Sequence, residues 1–245
     1  MQKISAHHLV FFDEFVRDYP IVVELVYADP QHPDNHFGAL YESGARLLGH
    51  RDLACVTLLA SLRLQAAYGW RLVLKDCLRP MEAQALMMDT EIVKANPHWI
   101  IEPRFLSMPG QGGHPRGMAI DVGTLNAAGD DIDFGTRFDY FSSSTDVSVN
   151  KAHRQYQGHS ADINQNRKIL QESFEQAGRD LNLPLYPLPH EWWDFRFTSD
   201  YTNEFFPLSD ADMPDGYKMT IKNKVRAHTA PETLVYIKEK LSQFL

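Results

Sequence analysis

The chain has 245 residues, 44% of them apolar and 23% charged, which suits one globular domain with a sizeable core. Its formal charge of -8, from 24 Lys+Arg against 32 Asp+Glu, excludes a general nucleic-acid surface, because phosphate neutralisation needs clustered cations. No apolar run of about twenty residues is present, and the only cysteines, Cys55 and Cys77, are too few for a disulfide framework.

In chain order, residues 1–18 predict a short lead-in helix, with no visible signal peptide. Val22–Tyr27 is a β-branched run and predicts a strand. Asp29–Gly38 is rich in turn formers and predicts a loop. Asp52–Tyr68 carries apolar residues at helical spacing, and Gly69 follows where a helix C-terminus favours glycine. Arg71–Asp76 predicts a strand, and Met81–Ala95 a helix after Arg79-Pro80. The proline- and glycine-rich residues 97–113 predict an irregular loop leading to a short buried strand, Met118–Gly123. The polar stretch Ser142–Gln157 predicts a long loop, Asp162–Ala177 a helix, and the aromatic Leu188–Phe197 an edge strand or strand-to-turn segment. After Thr198 the chain turns polar, with acids at Asp210, Asp212 and Asp215, and Pro231–Phe244 closes it as an amphipathic helix. Helices and strands mix without regular alternation, which implies an α+β fold. Both cysteines fall in apolar patterns and are expected to be buried thiols, as in a reducing compartment.

Three stretches carry residues capable of chemistry. In Gly112–Gly123, His114 ends a glycine-rich loop and Asp121 stands on the strand it enters. An imidazole and a carboxylate converging in this way can both bind zinc, though a turn histidine and a hydrogen-bonded aspartate would look the same. In Pro189–Phe195, Glu191 and Asp194 flank Trp192 and Trp193. An aromatic wall favours the protonated carboxyl and suits a general acid or base, whereas a bland reading makes the tryptophans core and the acids solvated neighbours. In Lys75–Pro80, Arg79 follows an apolar strand. It could face an oxyanion, or simply pair with Asp76.

Together these stretches resemble the zinc D-alanyl-D-alanine dipeptidases. The resemblance is carried by VYAD at Val26–Asp29, NHFGALYE at Asn35–Glu42, LRP at Leu78–Pro80 and HPRGMAIDVGTL at His114–Leu125. It continues through FGTRFDYF at Phe134–Phe141, NQNRKIL at Asn164–Leu170 and EWWDF at Glu191–Phe195. The matches run in the family's order over residues 20–200. The resemblance implies His114 and Asp121 as metal ligands, Glu191 as the catalytic base and Arg79 as the stabiliser of the transition state. It places Tyr27 and Asp139 at the substrate end. It also implies one α+β domain over residues 1–245, with a mixed or antiparallel sheet flanked by helices and the metal site at the sheet. Residues 200–245 are expected to form a C-terminal extension. The expected activity is metal-dependent hydrolysis of a small D-amino-acid-containing dipeptide, D-Ala-D-Ala by family default, on a cytoplasmic peptide of cell-wall metabolism.

The chain departs from the pattern at three places. Where the family has its third ligand, a histidine, Asp194 stands here. Asp194 itself could ligate, or His190, His153 or His159 could substitute, or the site could be degenerate in a protein that only binds a peptide. A second carboxylate also admits Mn²⁺ or Fe²⁺ beside Zn²⁺. Gly112 and Leu78 replace a serine and a tyrosine of the pattern, which removes two hydroxyls and should alter specificity.

Overall fold

A computed structural model describes residues 1–245. Its main sheet has five strands in the order β2 (Ile21–Val23), β4 (Arg71–Asp76), β5 (Ala119–Leu125), β7 (Asp194–Phe197) and β6 (Leu185–Pro187). Strands β2 and β4 run parallel and every other pair is antiparallel, so the sheet is mixed. A two-stranded antiparallel ribbon joins β1 (Leu9–Phe11) to β3 (Leu48–His50). Helix α1 (Arg51–Tyr68) packs against the sheet and against α4 (Ala161–Asp180). The fold is α+β, and no helix is long and apolar enough to cross a membrane.

Local signals place these elements. The His50 ring accepts from Asp52 N at 3.3 Å and caps α1, while Gly69, at φ 70°, closes it in the left-handed region that glycine adopts freely. The core is one contiguous cluster running from the ribbon through α1 to the inner strands. Residues 1–18 do not form the expected helix. Two short 3₁₀ turns flank β1 instead, because Leu9, Val10 and Phe11 are all buried and pairing with β3 covers the three in succession. Val22–Tyr27 is not one strand either. Beyond Val23 the chain winds into a 3₁₀ turn at Val26–Ala28, which drives Tyr27 inward. The helix expected over Met81–Ala95 is two, α2 (Met81–Met88) and α3 (Glu91–Ala95), broken where the Thr90 hydroxyl donates to Met87 O.

After the short helix α5 (Ser199–Thr202) the tail returns to the N-terminal half and ends in α6 (Pro231–Leu241). Thr229 Oγ1 accepts from Phe11 N, and Tyr236 Oη donates to Asp52 at 2.5 Å. Asp210 is fully buried and accepts from Met219 N and Thr220 N, while Asp215 accepts from Gly216 N and Lys224 N. These two acids hold turns of the tail and do not form a charged patch. Cys55 and Cys77 are buried and unpaired.

Candidate metal centre and cleft

The register of three adjacent strands sets the site. Asp76 at the end of β4 lies opposite Asp121 on β5, and Asp121 lies opposite Asp194 on β7. All three are buried. Like charges facing each other across strands are destabilising, so a row of three buried carboxylates requires positive charge nearby.

Two arginines supply part of it. Arg79 Nε and Nη2 both donate to Asp76 Oδ2, at 2.9 and 2.7 Å, and Tyr41 Oη donates to Asp76 Oδ1 at 2.7 Å. The ion pair with Asp76 is therefore present, and Arg79 nonetheless lines the cleft. Its Nη1 donates to Gln84 Oε1 at 3.0 Å. At the other end of the row, Arg196 Nε donates to Asp194 Oδ1 at 2.7 Å and Nη2 donates to Oδ2. Burial pushes the Asp194 carboxyl up, but Arg196 more than offsets this and holds it below the usual carboxylate range. The middle member has no arginine of its own. Asp121 Oδ1 is buried without a hydrogen-bond partner, and Oδ2 is 3.7 Å from Arg79 Nη2. Burial and the neighbouring Asp194 and Asp76 raise its pKa well above the usual value.

His114 enters from a 3₁₀ turn, His114–Arg116, that ends at Gly117 with φ 63°. A Cβ on Gly117 would stand 2.8 Å from His50 N, so only glycine lets this loop dock on the ribbon. His114 Nδ1 lies 2.8 Å from Cys77 O. A carbonyl only accepts, so Nδ1 carries a proton and Nε2 is the nitrogen left to ligate. That nitrogen faces Asp194 Oδ2 at 3.3 Å and Asp121 Oδ2 at 3.6 Å. A ring nitrogen tied to a backbone carbonyl, with the other aimed at carboxylates, is the usual support of a metal-binding histidine.

Donor atoms of Asp76, His114 and Asp121 lie within 4.8 Å of one another. Asp76, however, faces the protonated Nδ1 at 3.6 Å, and both its oxygens are already held by Arg79 and Tyr41. Both Asp194 oxygens are likewise held, by Arg196, so the donor atoms left unengaged are Asp121 Oδ1 and His114 Nε2, with Asp194 Oδ2 3.3 Å from that nitrogen.

A small recess opens on this row. Glu191 lines it, and burial with the adjacent Asp194 raises its pKa to about 8. Tyr27 and Asp139 form another wall, where Tyr27 Oη donates to Asp139 Oδ2 at 2.6 Å. Burial raises the Asp139 carboxyl to about 7 against that hydrogen bond. The structure thus brings together His114, Asp121, Asp194, Glu191, Arg79, Tyr27 and Asp139. It keeps the alternative histidines apart from the donor atoms. His153 and His159 bind backbone of their own loop, and His190 packs edge-on to Phe105, with Nε2 3.9 Å from Glu191. The tryptophans are core, Trp192 stacked on Phe134 and Trp193 edge-on to Phe138, yet the acids that flank them are buried rather than solvated. Sequence reasoning missed Arg196 and Gln84. The alternation Asp194–Phe195–Arg196 on a strand was the available signal for Arg196; Gln84 carried none.

The family model for D-ala-D-ala dipeptidase matches residues 5–210, and the chain belongs to that family. It is also similar to the D-alanyl-D-alanine dipeptidase of Escherichia coli (strain K12), at 27% identity over 173 residues, covering 71% of this chain and 77% of the relative. The chain is accordingly a peptidase-type hydrolase of a metal-dependent family.

Proposed function

We propose that this member of the D-ala-D-ala dipeptidase family hydrolyses a small dipeptide containing a D-amino acid, with D-Ala-D-Ala as the first candidate, at a divalent cation held by His114, Asp121 and Asp194. The reading is carried by one observation. His114 Nε2 and the Asp121 carboxylate, one oxygen of which has no partner, converge beside Asp194, in the same recess as a buried glutamate of raised pKa. A divalent cation there supplies the charge that polarises a peptide carbonyl and acidifies a water. Zn²⁺ suits the imidazole, and the two carboxylates also accommodate Mn²⁺ or Fe²⁺.

The side chains divide the remaining work. Glu191 takes a proton from water and returns it to the leaving amine, for which a pKa near neutrality is suited. Arg79, held rigid by Asp76 and Gln84, presents a guanidinium to the negative charge that develops on the carbonyl oxygen. Asp139, with Tyr27 fixing its orientation, receives the substrate ammonium. Two buried, unpaired thiols fit a reducing compartment, and we assign the enzyme to the cytoplasm.

The test is hydrolysis of D-Ala-D-Ala and mixed D,L-dipeptides by metal-free protein reconstituted with Zn²⁺, Mn²⁺, Co²⁺ or Fe²⁺. Turnover with at least one metal, abolished in Glu191→Ala, is the expected result. No turnover with any metal, and a Glu191→Ala variant that behaves identically, would refute the proposal and leave a protein that only binds peptides.

A further inference from the structure

We infer that Asp194 and Arg196 work as one unit, an aspartate–arginine pair that takes the electrostatic place of a single neutral ligand at the metal centre. The inference rests on the ligand set proposed above. Asp194 and Arg196 alternate on β7, so both side chains leave the same face of the strand. The two guanidinium bonds, to Oδ1 and Oδ2, lock the carboxylate in one plane. In that orientation Oδ2 stands 3.3 Å from His114 Nε2. Asp194 is fully buried, while the Arg196 side chain is 17% exposed and lines the recess.

Charge explains why the arginine is there. A divalent cation with one imidazole and two carboxylates has no net charge, and its electrophilic power is reduced accordingly. The Arg196 guanidinium adds one positive charge, and the total equals that of the same cation with two imidazoles and one carboxylate. Of the other nearby arginines, Arg79 is engaged by Asp76 and Gln84, and Arg154 meets Asp194 at the backbone, with Nη2 donating to Asp194 O at 2.7 Å, so Arg196 alone holds the carboxylate. Arg196 also draws charge from both Asp194 oxygens, which makes the carboxylate a weaker donor, closer to a neutral ligand. The aspartate in place of the family's third histidine is thereby compensated from two residues along the same strand. Arg196 acts through Asp194 and is a positioning residue.

The experiment is a double-substitution cycle on the full chain. It measures Zn²⁺ affinity by chelator competition, the Co²⁺ absorption spectrum as a report on the ligand field, and dipeptide turnover. Arg196→Gln removes a charge that opposes the cation, and affinity should rise about tenfold or more while turnover falls. Arg196→Lys keeps the charge and should stay close to wild type in affinity. Asp194→His alone sets an imidazole against an unpaired guanidinium and should bind metal more weakly than wild type. Asp194→His with Arg196→Gln should recover the affinity, a coupling of about 10- to 100-fold between the two positions. An Arg196→Gln variant that loses affinity and turnover in parallel would overturn the inference, as would an Asp194→His variant that binds equally well with and without Arg196. If the wild type cleaves no dipeptide, the proposed function fails while the affinity cycle still decides this point.

Discussion

Asp52 and Asp121 are both buried aspartates, and the fold treats them in opposite ways. Asp52, in the first turn of α1, accepts from Tyr201 Oη at 2.7 Å and Tyr236 Oη at 2.5 Å. Burial pushes its pKa up, but His50 and the two tyrosine hydroxyls outweigh burial and bring it below the usual value. Asp121, in the middle of the sheet, has one oxygen with no partner and a raised pKa. A carboxylate that is fully hydrogen-bonded has been used to join parts of the chain, here α1, α5 and the tail helix α6. One left short of donors in a polar recess is held ready for something else. Burial alone does not distinguish the two, and the count of satisfied oxygens does.

Substitutions on the two sides should separate along that line. The largest effect is expected at the cleft. Glu191→Gln should lower kcat by about 10²–10⁴-fold with no loss of thermal stability, because it replaces a carboxyl whose ionisation burial already opposes with a neutral group of the same shape. A fall in melting temperature in step with the activity would place Glu191 with the structural acids. On the other side, Asp52→Ala leaves two tyrosine hydroxyls unpaired and should cost about 3 kcal/mol, a fall of roughly 6–12 °C in melting temperature for a chain of this size. Its turnover per folded molecule should be unchanged. Lost activity at full folding would erase the distinction.

Asp139 sharpens the comparison, since it has one strong donor, Tyr27, and still has a raised pKa of about 7. A carboxyl whose folded value stands above its unfolded value stabilises the fold while protonated. That contribution is present below the ordinary aspartate range and is lost as pH rises through about 7. Asp139→Asn should flatten this part of the stability profile, measured by denaturation from acid to neutral pH. It should also raise KM for dipeptides with a free amine more than it lowers kcat. The smallest effect is expected at Tyr236→Phe, which removes one of two hydroxyls from Asp52 and should cost about 1 kcal/mol. Detecting it by chemical denaturation would tie the C-terminal helix energetically to α1.

Much of the site was legible because metal chemistry restricts residue types. His114, Asp121 and Glu191 lie in short stretches whose glycines and tryptophans already mark a loop, a strand and an aromatic wall. Helix α1 was legible from its apolar spacing and Gly69, and the α+β class from the irregular mixture of elements. The ribbon of β1 with β3 was not, because three apolar residues in a row satisfy a buried helix turn as well as a buried strand. The break between α2 and α3 was hidden for a similar reason, since one threonine hydroxyl at Thr90 decides it.

The sequence by itself determined which chemical groups are present, the order in which they come and the class of reaction they suit. Residue type and local spacing carry that information. Only the tertiary structure decided the partners. The register of β4, β5 and β7 sets Asp76, Asp121 and Asp194 side by side and leaves one Asp121 oxygen without a partner facing the site that His114 enters. Pairings between residues more than forty positions apart depend on strand register, which no local pattern in the chain encodes.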